Sequence, residues 1–206
     1  MKKKNVIKIC VMLGIFVILF ALDLVTKYVF DAKLSGGESV TVIPHLFNFK
    51  LVHNYGAAWG MMAGKQVFLI VLSLVFLAIF VVYFIKEKNK SWLFVVTFAF
   101  LTAGCVGNLY DRMILGYVRD FIQFDFWKSF PIFNFADVFL CVGVVLFAIY
   151  LIIYWVKNSK NKPPARRRFF RQPQAVIFVA FYMRQSNSCR ASRYFTSYSL
   201  SPPRIS

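Results

Sequence analysis

Acidic side chains are scarce in this chain: 206 residues carry 8 Asp and Glu against 25 Lys and Arg, with only two histidines, His45 and His53. Two histidines without further ligands serve packing or hydrogen bonding, so neither a histidine-rich metal site nor a Ser/His/Asp hydrolase is indicated. Cys10, Cys105, Cys141 and Cys189 show no metal-ligand spacing, and no disulfide framework, metal or other cofactor is implied. Charge as a whole is also thin. Charged residues make up 16% of the sequence and hydrophobic ones 59%, against about 25% and about 45–50% in soluble domains. That balance points to a membrane protein.

What is present is long apolar runs. Ile9 to Phe30, Val67 to Ile85, Trp92 to about Leu109 and Phe135 to Val156 are each long enough to cross a hydrocarbon core of about 30 Å as a helix. Helices are expected because a lone strand leaves its backbone groups unpaired in lipid. Lys2, Lys3, Lys4 and Lys8 precede the first run as in a signal peptide, but the run is long and no small-x-small site precedes Asp23 and Lys27; an uncleaved span is expected. Basic residues cluster before the first run, between the second and third (Lys86, Lys88, Lys90) and after the fourth (Lys157, Lys160, Lys162, Arg166 to Arg168). Those segments, and with them both termini, are expected in the cytoplasm, with residues 31–66 and about 110–134 facing outward.

Charge divides the chain as well. Residues 1–156 hold 14 basic residues and all 8 acids, a net +6, whereas residues 157–206 add 11 basic residues and no acid. Beyond Lys162 the composition turns to Pro, Arg, Ser and Tyr without periodicity. Two regions are therefore expected: a four-span domain, 1–162, and a basic, disordered tail, 163–206, drawn to anionic lipid headgroups rather than to nucleic acid. Ser39 to His53 alternates imperfectly and reads as short strands. Phe121, Phe124, Phe126, Trp127, Phe130 and Phe133 crowd a stretch too polar to span, which suits an element at the headgroup level.

Intramembrane charge is costly, so its position is informative. Asp23 lies about 21 Å along the first span from Ile9 at 1.5 Å per residue, in the outer half with Lys27 one turn beyond. Asn108, Asp111 and Arg112 arrive at the outer end of the third span, Asp120 follows, and Asn134 and Asp137 open the fourth. Singly, each has an ordinary explanation: an i, i+4 ion pair for Asp23 and Lys27, an interfacial anchor for Asp111 beside Arg112, a helix-dipole acid for Asp137. Convergence at one depth has none. Two carboxylates sharing a water-restricted site retain one proton, and such a pair hydrolyses a peptide when one partner takes a proton from water and the other polarises the carbonyl.

DLVTK from Asp23, FNFKLVHNYGAAWG from Phe47, GNLYDRMILGYVRDFIQF from Gly107 and FNFAD from Phe133 resemble, in order, the motifs of the lipoprotein signal peptidases, signal peptidase II. The resemblance covers roughly residues 5–157. It implies a bacterial inner- or plasma-membrane aspartyl endopeptidase of four helices that cleaves diacylglyceryl-modified prolipoproteins before the lipidated cysteine, with the site toward the outer face. It also implies catalytic Asp120 and Asp137, with Asp23, Lys27, Asn54, Gly56, Asn108, Arg112 and Asn134 supporting them. The expected fold class is an all-α membrane protein with a small extracytoplasmic β region, the expected partners are lipidated prolipoproteins and membrane phospholipid, and a monomer is expected.

Asn54, Asn108 and Asn134 suit holding an extended substrate backbone, while Gly56, Ala57 and Ala58 permit close approach. Arg112 is open to either of two uses, pairing with Asp111 or bracing the site. Asp31 and Asp125 fall outside it. Two positions depart from the family pattern: Trp59 stands where phenylalanine is expected, and Arg119 where an apolar residue is expected. A cation beside Asp120 depresses its pKa unless the segment is extended and Arg119 aims away. The alternative function is a small channel or proton-coupled transporter, which would place polar groups near the midplane; the inner halves of the second and fourth spans are almost wholly apolar.

Overall fold

A computed structural model of the chain describes residues 3–57, 61–88 and 90–160. The expected tail, 163–206, and the departure at Trp59 lie outside these residues. Four helices long and apolar enough to cross a membrane are present: α1 (Lys3–Leu34), α2 (Gln66–Lys86), α3 (Trp92–Ile114) and α4 (Phe135–Lys160). The chain between them supplies three strands, β1 (Ser39–Ile43), β2 (Phe47–Asn54) and β3 (Val118–Phe124).

α3 is the middle of the bundle and packs on α4, α1 and α2. It starts where Ser91 caps it, the hydroxyl accepting from Phe94 N at 3.1 Å, which satisfies a helix-start N–H that has no partner within the helix. Its small residues let neighbours close in. A Cβ on Gly107 would fall 2.4 Å from Asp23 Oδ2 and 3.1 Å from Ala136 Cβ, so only glycine admits the Asp23 carboxylate between α1, α3 and α4. At the other end of the bundle, Phe84, Phe94, Phe98 and Tyr150 form the buried apolar core.

The strands make one antiparallel sheet in the order β1-β2-β3. Strands were expected only over Ser39 to His53; the third comes from the aromatic stretch assigned to the headgroup level. That stretch divides. Val118–Phe124 pairs with β2, with Val52 opposite Asp120 and His53 opposite Arg119, and only the following turn leaves large aromatics exposed, at Phe126 and Trp127. Stacked rings account for the difference: Phe121 lies 4.4 Å from Phe30, and Phe30 lies 4.3 Å from Phe49, so this part of β3 is held by aromatics of α1 and β2 rather than by headgroups.

Candidate active site

Chain reversal after α3 brings the first carboxylate into place. Leu115 N donates to Asp111 O at 2.8 Å and Gly116 turns the chain at φ 80°, a left-handed conformation that glycine adopts without strain. β3 then runs back beside β2, carrying Asp120. On its far side, Phe133 bridges Ile122 in both directions, with N–H···O distances of 3.0 and 2.8 Å. This bridge sets Asn134 and the start of α4, hence Asp137, against β3.

Asparagines hold the two carboxylates. Asn134 Nδ2 donates to Asp120 Oδ1 at 2.7 Å, and Asn134 N donates to Asp137 Oδ2 at 3.1 Å. Asn54 Nδ2 reaches Asp120 Oδ2 at 2.9 Å, and Asn108 Nδ2 reaches Asp137 Oδ1 at 2.7 Å. Asn108 and Asn134 are themselves joined, Nδ2 of Asn134 to Oδ1 of Asn108 at 3.0 Å. Asp120 is 3% exposed and Asp137 half-buried. Burial, and then the negative charge of Asp137, push the Asp120 carboxyl up to about 8, against the lowering effect of its two asparagine donors.

Behind this layer lies a buried charge cluster. Lys27 Nζ is 2.8 Å from Asp23 Oδ2 and 3.6 Å from Asp111 Oδ2, and donates to Asn108 Oδ1 at 3.1 Å and Gly107 O at 3.2 Å. Asp23 Oδ1 accepts from Ala136 N at 2.9 Å, tying α1 to the first turn of α4. Arg112 takes the bracing use: Nη2 donates to Gly56 O at 3.1 Å and Nη1 to Asn108 O at 3.4 Å, while its buried Nε has no hydrogen-bond partner among the described residues. Gly56 N in turn donates to Asn54 Oδ1 at 2.9 Å.

The structure thus brings together all nine residues named from the sequence. Two it adds are Asp111 and Arg119. Asp111, for which an interfacial anchor was the ordinary explanation taken singly, is fully buried and paired with Arg119, with Nη2 to Oδ1 at 2.7 Å and Nε to Oδ2 at 3.2 Å. Arg119 does aim away from Asp120, as an extended strand requires. The signal in the sequence was the cation itself, at a position otherwise expected to be apolar. Asp125 stays outside the site, accepting from Asn48 at 3.4 Å. Asp31 makes no contact with the pair but stands 3.9 Å from Arg119 Nη1 and 3.3 Å from His53 Nε2.

Fold and site together define a helical membrane protein with two adjacent carboxylates gathered at one end of the bundle. The family model described as Signal peptidase (SPase) II matches residues 15–153. Lipoprotein signal peptidases of Staphylococcus aureus strains JH9 and Newman are each 39% identical over 163 residues, spanning 79% of this chain and 96% of the relative. Two solved structures, each of a bacterial membrane enzyme obtained in meso, at 2.3 and 1.9 Å, superpose with TM-scores of 0.67 and 0.64. Their identities are 36% and 38%, they cover 78% and 69% of this chain, and 96% and 93% of their own chains are matched. The chain belongs to the signal peptidase II family, the lipoprotein signal peptidases of bacterial membranes.

Proposed function

We propose that this peptidase removes the signal peptide from diacylglyceryl-modified prolipoproteins, cutting before the lipidated cysteine, with Asp120 and Asp137 as the acting pair. The observation that carries the reading is the shared asparagine frame: Asn134 donates to both carboxylates at once, and burial with the charge of Asp137 favours a proton held within the pair. With one proton between them, the ionised partner takes a proton from water as the water oxygen adds to the scissile carbonyl carbon. The protonated partner donates to the carbonyl oxygen. The C–N bond then breaks as the amide nitrogen takes a proton from one partner and a hydroxyl of the tetrahedral intermediate returns one to the other, leaving a carboxylic acid that ionises on the signal peptide, an amine on the lipidated cysteine and the pair again with one proton. Asn54, Asn108 and Asn134 hold the carboxylates, and Arg112 braces Gly56 and Asn108 around them.

Purified protein is expected to cleave a lipidated prolipoprotein with a bell-shaped pH profile. Its alkaline limb should fall near pH 8, because loss of the last proton from the pair removes the acid. Ion flux without cleavage would favour the transporter instead, and an unchanged rate to pH 10 would exclude a shared proton.

Orientation is part of the same reading. Lys8, Lys86, Lys88 and Lys90 gather at the end opposite the sheet, where the Lys8 ammonium reaches Lys90 O. That clustering supports the outer face for the site and the cytoplasm for the start of the chain. In a cysteine-free background, Phe126→Cys should react with an impermeant reagent in intact cells and Ser159→Cys should not; the opposite pattern would invert the topology.

A further inference from the structure

We propose that Arg119 is a positioning residue for the catalytic pair, acting through Asp111, which anchors both carboxylates from behind. This rests on the assignment of Asp120 and Asp137 above. Arg119 is 1% exposed. Its guanidinium grips Asp111 bidentately, its own backbone N–H donates to Asp111 Oδ2 at 3.1 Å, and its charge lies over the Tyr28 ring, 4.5 Å from the centroid. A side chain and a main-chain amide of one residue are therefore both fixed to one carboxylate of α3. Because the next residue in the extended strand is Asp120, pinning Arg119 sets where the Asp120 carboxyl aims.

The second route runs to Asp137. Asp111 lies 3.6 Å from Lys27, Lys27 donates to Asn108, and Asn108 donates to Asp137. Charge balance holds this route in place. Lys27 and Arg119 face Asp23 and Asp111, with Asp31 and His53 at the open edge of the cluster. Without the guanidinium, Asp111 keeps Lys27 as its only close cation among the described residues. Lys27 is then drawn toward Asp111 and away from Asn108, so both carboxylates lose their placement. The bidentate fork matters as well as the charge, since an ammonium cannot fix a carboxylate plane.

The test uses the full chain, a lipidated prolipoprotein peptide, and kcat, KM, pH limbs and melting temperature measured together. Arg119→Leu is expected to lower kcat by about 10- to 100-fold with KM within about two-fold, the scale of a small misplacement of reacting groups. Both pH limbs should move upward, because a cation near two carboxylates has been removed. Arg119→Lys should keep the limbs in place and lose kcat only several-fold. Adding Asp111→Asn to Arg119→Leu should return the limbs but not the rate. Arg119→Leu with wild-type kcat and limbs, or with a loss that only follows the folded fraction while the limbs stay put, would overturn the proposal. If Arg119→Leu does not insert, Arg119→Lys decides, and full kcat in that variant counts against it. Asp120→Asn run alongside separates the two readings: an inactive Asp120→Asn with a fully active Arg119→Leu sinks this inference alone, whereas an active Asp120→Asn sinks the pair.

Discussion

Asparagine in place of Asp120 or of Asp137 should each reduce cleavage by roughly 10²- to 10⁴-fold or to background, the contribution of a positioned general acid or base. Neither amide can give up or accept the shared proton. The double variant should be scarcely slower than either single one, because the two carboxyls act as one unit and either loss removes the whole of it. Structure is not the cause of the expected loss, but it is not silent. Asp120 accepts at both oxygens and so does Asp137, so an asparagine NH₂ must face one donor, at a cost of about 1–3 kcal/mol. Melting temperature therefore has to be recorded with the rate. Asp125→Asn is the control expected to keep activity. Asp31 suits that purpose less well, since it stands 3.9 Å from Arg119 Nη1. Retention of more than a small residual rate by either pair variant, or equal inactivity of Asp125→Asn, would remove the assignment.

Lys27→Met carries the largest expected loss of stability. Lys27 and its partners Asp23 and Asp111 are all fully buried, and methionine fills the same space without a charge. Asp111 retains Arg119, but Asp23 is left with a hydrogen bond from Ala136 N and no cation. An uncompensated buried charge costs about 3–5 kcal/mol, or about 6–20 °C in melting temperature for a domain of this size. Cleavage should fall too, because Asn108 Oδ1 loses its ammonium donor. The companion change Asp23→Asn removes the stranded charge. It should restore most of the stability while leaving cleavage low, since Asn108 Oδ1 then keeps only the donor of Asn134. A melting point for Lys27→Met within about 2 °C of the parent would show that the variant buries no uncompensated Asp23 charge.

Apolar length alone located the four helices, because a bilayer imposes a minimum span that a water-soluble fold does not. Their ends were short by a few residues. The first extends from Lys3 to Leu34 and the third to Ile114, since polar residues can continue a helix beyond the apolar length that marks a span. The expense of intramembrane charge and the depth of each polar residue singled out Asp23, Lys27, Asn108, Asp111, Arg112, Asp120, Asn134 and Asp137, and the family motifs added Asn54 and Gly56. Strand β3 was hidden. Its aromatics read equally well as headgroup anchors, and only pairing with β2 and stacking on Phe30 decide between the two.

Partner choice is what the sequence by itself left open. It determined that carboxylates and asparagines from three separate pieces of chain arrive at one depth, because span length and helical rise convert position into height. Whether Arg112 meets Asp111 or Gly56, and whether Arg119 weakens Asp120 or turns its back on it, depends on rotation about each helix and on strand register. Those are set by close packing, as at Gly107 against Asp23 and at Gly116 in the turn. Tertiary structure alone gave Arg119 to Asp111, because a residue near the end of a helix and one on the strand after the turn become neighbours only once the chain has folded back.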